Sequence, residues 1–345
     1  MTSRGDPTSR YAAAGVSIER GEKAVDLMRS AVEATHGPEV LGGAGGFAGL
    51  YALAGYREPV LASTIDGVGT KVLVAREVGR YDTLGADIVN HCANDVLATG
   101  ARPLLFLDYV ASGRLDPEAI ARVVRGAAEA CRQLEVALVG GETAEMPGLY
   151  AWGDLDVVGA CVGACERSEV VTGERVRVGD AILGIASSGL HTNGFTLARK
   201  VIEDAGLSYS DVPAGFDRSL GEVYLEPHRA YAREVAAVRD AVEVRGMAHI
   251  TGGGLPGNLP RALALGGLGA RLDASSWEEP PVFALIRVLG NVPEDEMRRV
   301  FNLGVGFCVV VPAGEAEKGL ETLHCAGCAA WRIGEIVEGG GVEFG

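Results

Sequence analysis

The sequence predicts a two-domain protein of the α+β or α/β class. Its 345 residues are enough for two domains of ordinary size. Helix-like and strand-like patterns alternate in both halves. They break at a charged, turn-rich stretch, ERSEVVTGERVRVGD at 166–180. The boundary is expected near residue 170, giving domains 1–170 and 171–345.

Residues 1–20 are polar and read as a mobile arm, followed by a helix at 21–35. Five glycines then fall between Gly42 and Gly49, inside LGGAGGFAGLYAL. Residues 58–65 read as a strand that ends in STIDGVGTK. A helix at 83–99 is stopped by Gly100 and Pro103. PLLFLDYV at 103–110 is apolar enough for a buried strand. Asp116-Pro117 opens a helix to about residue 134, with aspartate capping and proline at the first position. Residues 136–139 form a short strand into GGETAEMPG, and 156–165 form another. The second half begins with a strand at 181–186. SSGLHTNG leads into a helix at 195–205, and a longer helix covers 227–242. A short strand then runs into TGGGLPGNLP. The tail alternates helix and strand, ending with a strand at 331–337.

The composition excludes some classes. A net charge of −15 argues against a nucleic-acid or acidic-membrane surface. It leaves room for phosphorylated ligands, which backbone N–H groups and a few cations can hold. Seven cysteines, an odd number, read as reduced thiols of a cytoplasmic protein. MTSRGDPTSR lacks the apolar core of a signal peptide, and no run approaches a membrane span.

Five stretches carry candidate chemistry. In STIDGVGTK, Asp66 precedes Gly67, Gly69, Thr70 and Lys71, which is not the order of a P-loop. The loop is either a metal–nucleotide loop, with Asp66 on Mg²⁺ and Lys71 on phosphate, or a plain strand-to-turn junction. On the helix at 83–99, Asp87, His91 and Asp95 share one face, with Asn90 and Asn94 beside them. Short polar side chains are poor helix formers, so they suggest metal or hydrogen-bonding duty rather than a solvated face. GGETAEMPG puts Gly141 and Glu142 where a ligand docks at a strand end, or marks only a turn. In SSGLHTNG, His191 sits near a helix start, as a candidate acid–base group or as part of a capping turn. Gly252, Gly253 and Gly254 form an anion nest or a loop needing positive φ. Cys325 and Cys328, beside His324, make a zinc site only if Cys161 and Cys165 converge on them. Strand periodicity places that second pair in the core.

The order of these stretches resembles one family: phosphoribosylformylglycinamidine cyclo-ligase, the aminoimidazole ribonucleotide synthetase of purine synthesis. GGAGGFAGL, STIDGVGTK, NDVLATGARPLLFLDY, GGETAEMPG, SSGLHTNG and TGGGLPGNLPR follow one another from about Tyr11 to the last strand. GGETAEMPG and SSGLHTNG are the most specific.

The resemblance implies a two-domain α+β fold whose N-terminal domains pair into a β-barrel across a homodimer. It implies that Mg²⁺ and ATP drive closure of an imidazole ring on a phosphorylated ribonucleotide. Asp66, Asp95 and Glu142 would hold the metal. Gly42, Gly43, Gly45, Gly46, Gly67, Gly69, Thr70, Asn94 and Gly141 would complete the nucleotide site. Lys71 and His191 would be catalytic. Ser188, Thr192, Asn193, Gly252, Gly253, Gly254 and Asn258 would meet the substrate. Ala13 and Ser17 stand where the family often has acidic residues, and HCAGC is not a family motif.

Alternatives within the fold are selenophosphate synthetase and thiamine-monophosphate kinase. The first carries a reactive residue near its N-terminus, whereas no cysteine here precedes Cys92. A non-catalytic ATP-binding subunit is the alternative of another class.

Overall fold

The computed structural model describes residues 10–43, 45–263 and 267–345. The expected arm lies outside them up to residue 9. From residue 10 the chain is already ordered into helices Arg10–Ala13 and Ile18–Glu33. Glu145 ties this segment down, accepting from Ser17 N at 2.6 Å and Arg20 Nη2 at 2.7 Å. The expectation of a mobile arm therefore fails over 10–20. Its polar residues are used on a partner more than a hundred positions away.

The first half builds a four-stranded sheet in the order Pro59–Gly67, Leu155–Glu166, Arg102–Ser112, Ala137–Glu145. The first two pairings are antiparallel and the last is parallel. Helices Asp82–Ala98, Pro117–Gln133 and Ile18–Glu33 form the layer packed with it. Two of these helices cross with their backbones touching. A Cβ on Gly85 would lie 2.0 Å from Val123 O, and one on Gly126 would lie 1.9 Å from Asp82 O. The sheet's other face is open at its edge, with Leu61 62% and Ile65 71% exposed.

The second half builds a six-stranded sheet. Its order is Gly341–Phe344, Leu268–Leu272, Ala330–Glu338, Ala181–Ala186, Val305–Val311, Gly246–His249. Only the first pair is parallel. The Ala181–Ala186 and Val305–Val311 strands are buried nearly throughout, as their unbroken apolar runs require.

Several elements match the patterning. Asp116 caps its helix by accepting from Glu118 N and Ala119 N. Two elements differ. The Ala137–Glu145 strand does not stop at Gly141 but runs on through GGETAE, paired with 107–112. The helix expected from residue 227 starts only at Ala232. Residues 226–231 cannot be helical, because several of their backbone groups are bonded to side chains of the first half.

Candidate active site

The Asp82–Ala98 helix joins the two halves. Its short polar side chains face residues 226–231. Asp87 Oδ1 accepts from His228 N at 2.7 Å. Asn90 Nδ2 donates to His228 O at 2.7 Å. Asn94 donates to Arg229 O at 2.8 Å and accepts from Tyr231 N at 3.0 Å. The hydrogen-bonding duty expected of this stripe is largely that of a seam, and Asn94 has both ends of its amide engaged within it.

Lys71 belongs to the same seam. It is fully buried, and its ammonium donates to Asp87 Oδ1 at 2.8 Å, His191 O at 3.0 Å and Glu226 O at 2.8 Å. All three donors are engaged, so the expected contact with phosphates is not what this structure shows. Burial pulls Lys71 downward and Asp87 upward in pKa, and the contact between them opposes both shifts.

Asp66 and Asp95 lie at one end of the seam. Asp66 Oδ1 accepts from Gly67 N at 2.7 Å. Asp95 Oδ1 is 2.9 Å from His249 Nδ1, and its Oδ2 accepts from Thr64 Oγ1 at 3.2 Å. Burial pushes both carboxyls up, but the imidazole beside each and the nearby donors outweigh it, so both sit below the usual carboxylate range.

A chain of contacts joins these carboxylates. It runs Asp95–His249, His249–His228 (2.9 Å), His228–Thr192 (3.3 Å), Thr192–His91 (2.7 Å) and His91–Asp66 (2.9 Å). With one hydrogen on each ring, three imidazoles and one hydroxyl supply four protons for these five contacts. Tautomers follow from the bonds made. The chain is bonded at every link only when one further proton or a cation sits along it. The His91–Asp66 contact is the misaligned one, and His91 Nε2 has no proper hydrogen-bond partner.

His191 stacks on His228 with ring centroids 3.9 Å apart. It is buried, with φ +62. Its Nε2 accepts from Ser188 N at 3.2 Å, so Nδ1 carries the hydrogen. That Nδ1–H has no acceptor among the described residues. Burial, then the neighbouring cationic and imidazole groups, hold His191 and His228 well below the usual histidine range. Burial likewise takes His249 down to about 4.

The other expected residues are placed as follows. Glu142 is exposed on an edge strand, and Asp66 is on the opposite edge of the same sheet. Three strand spacings, roughly 14 Å, separate those edges. One chain therefore does not bring Glu142 to Asp66 and Asp95. Gly42, Gly43, Gly45 and Gly46 are exposed. Gly67 ends its strand and Gly69 has φ +66. Thr70 Oγ1 lies 3.0 Å from Thr196 Oγ1. Ser188 donates to Pro227 O, and the buried Asn193 Oδ1 lacks a partner. Gly253 and Gly254 have φ +102 and +59, beside Gly252. Asn258 Nδ2 faces Thr251 O, Gly252 O and Gly254 O, which makes it a staple of that loop. The described cysteines form no disulfide, and Cys161 and Cys165 are buried as expected of core.

Sequence reading missed His228 and His249. The available signal was thin: the chain has six histidines, and one directly precedes ITGGG.

Comparison with known proteins fits this architecture. Residues 48–165 match the family "AIR synthase related protein, N-terminal domain", and 177–345 match its C-terminal counterpart. The fold is shared more widely. Thiamine-monophosphate kinase from Stenotrophomonas maltophilia K279a superposes with a TM-score of 0.67 at 20% identity, covering 93% of this chain and 95% of that one. The hydrogenase maturation protein HypE in complex with ATP gives 0.64 at 20% identity, covering 95% and 88%. Fold and site together define an AIR synthase-related protein.

Full-length relatives narrow this further. A phosphoribosylformylglycinamidine cyclo-ligase of Gloeobacter violaceus is 52% identical, over 97% of this chain and 99% of its own length. One from Sorangium cellulosum is 52% identical over 97% of each. The chain belongs to the phosphoribosylformylglycinamidine cyclo-ligase family and is an enzyme of the ligase class.

Proposed function

We propose that the chain converts formylglycinamidine ribonucleotide to 5-aminoimidazole ribonucleotide in purine biosynthesis, with ATP giving ADP and phosphate. An amide carbonyl is a poor electrophile and its oxygen a poor leaving group. Phosphorylating that oxygen makes it a leaving group, and the neighbouring nitrogen then closes the ring. The observation that carries this reading, beyond family membership, is the pair Asp66 and Asp95, held ionised by imidazoles where the two halves meet.

Mg²⁺ fits this pair, because a hard cation takes carboxylate oxygens. When bound it would neutralise developing phosphate charge. The unmatched His191 Nδ1–H suits an anionic oxygen of the activated amide, once the turn at 187–194 uncovers it. The glycine-rich segment 42–49 suits a lid that keeps water from the activated intermediate. Gly252, Gly253, Gly254, Ser188, Thr192 and Asn193 frame the substrate side. A division into domains near residue 170 is supported by each sheet lying wholly on one side of it.

The homodimer belongs to the same reading. The open face with Leu61 and Ile65 suits closure of two four-stranded sheets into a barrel. A two-fold along the barrel axis would set each Pro59–Gly67 edge against its partner's Ala137–Glu145 edge. Glu142 of one protomer would then join Asp66 of the other. A cytoplasmic location is supported by seven free cysteines. No described helix is long and apolar enough to cross a membrane.

The test is direct. Purified protein with formylglycinamidine ribonucleotide, ATP and Mg²⁺ should form aminoimidazole ribonucleotide with one ADP per product. ATP binding without product would favour a non-catalytic subunit.

A further inference from the structure

Four of the chain's six histidines, His91, His191, His228 and His249, gather in the seam, and all four are buried. His228 lies against each of the others. Its ring stacks on His191, with centroids 3.9 Å apart and planes 23° from parallel. Its Nε2 lies 2.9 Å from His249 Nε2, and its ring centroid lies 5.2 Å from that of His91.

His228 is held at its backbone and at both ring nitrogens. Its N–H donates to Asp87, and its carbonyl accepts from Asn90. Thr192 Oγ1 faces its Nδ1, and His249 faces its Nε2. A half-turn of the ring would put carbon at both positions, so its orientation is set by these contacts. His191 is held less well. Its φ of +62 is uncommon for any residue but glycine. Its ring makes a single hydrogen bond among the described residues, from Ser188 N. One hydrogen bond fixes a point, not a plane. The flat face of His228 supplies the plane, as stacked aromatic rings do.

We propose that His228 is a positioning residue for the ring-closing reaction. It is a fixed platform that holds the plane of the His191 imidazole, and so the direction in which Nδ1–H points. The proposal rests on the reading of His191 given above and adds to it the residue that aims it. What His228 contributes is its aromatic face, not the hydrogen bonds of its ring.

Steady-state turnover of the full chain, with formylglycinamidine ribonucleotide, ATP and Mg²⁺, tests this with two substitutions of opposite character. His228→Phe keeps a flat ring and loses both nitrogens. His228→Gln keeps hydrogen-bonding groups and loses the ring face. The glutamine variant should lower kcat by up to about 100-fold, the cost of misplacing a reacting group by an ångström, with KM for ATP unchanged. The phenylalanine variant should stay within about threefold of wild type, because the stack survives. Added to His191→Ala, His228→Gln should cost nothing further in kcat, because the group it positions is gone. A phenylalanine variant as slow as the glutamine one, or slower, overturns the proposal and assigns the effect to the His249–Asp95 contact. So does a further loss in the double variant, or a change confined to KM for ATP. Undiminished turnover in His191→Ala removes the reading of His191 itself.

Discussion

The seam between the halves and the free edge of the first sheet treat polar groups in opposite ways. In the seam, Lys71, Asn90, Asn94 and the Oδ1 of Asp87 have partners in place, while Asp87 Oδ2 has none among the described residues. Along the edge, Gly140 to Thr143 have no backbone partner on their outer side among the described residues. The seam is built before any ligand arrives, so its cost is met on folding and its geometry is fixed. The edge has no such partners among the described residues.

The largest effect should come from emptying the seam. Lys71→Met leaves Asp87 buried without its cation, and should cost about 3–5 kcal/mol in urea unfolding. Unchanged stability with a weaker KM for ATP would instead put the ammonium at the phosphates.

Acid should act on the same region. His191, His228 and His249 titrate near 6.5 when unfolded and lower when folded. Below pH 6.5 the unfolded chain binds more protons, so stability is full above 6.5 and falls as pH drops toward 4. His249 alone contributes on the order of 3 kcal/mol to that fall. A urea midpoint flat from pH 7 to 5 would show these rings solvated or already charged.

At the carboxylate end of the seam, Asp66→Asn should lower turnover about 100-fold, or about 3 kcal/mol, with little change in melting temperature. Mixing it with Glu142→Gln protomers should restore part of the activity if the site spans two chains. A collapse in melting temperature with normal ATP use would make Asp66 structural, and no recovery on mixing would separate Glu142 from the site.

The fold was legible where local signals decide. Asp116-Pro117 marked a helix start, and PLLFLDYV marked a buried strand, because capping and apolar runs act over a few residues. The candidate site was legible in its residue types but not in its partners. Asp87, Asn90 and Asn94 announced hydrogen bonding by being poor helix formers, yet the 228–229 backbone they hold lies 135 or more positions away. Glu142 was misplaced because Gly-Gly looked like a strand end, whereas an irregularity in register lets the pairing with 107–112 continue. Ser17 looked like a departure in a loose arm, and only the fold shows Glu145 holding it.

The touching backbones at Gly85 and Gly126 give the molecule an index mark. One helix carries Asp87, Asn90, His91, Asn94 and Asp95, and a slip of one residue would turn all five by about 100°. Any side chain at either glycine would force the two helices apart, since its Cβ would lie within 2.0 Å of the facing backbone. The crossing thus works as a key in a shaft, stopping the rotation that would misaim the whole seam at once. Substitutions there should disable the enzyme from a distance, with no residue of the site itself altered.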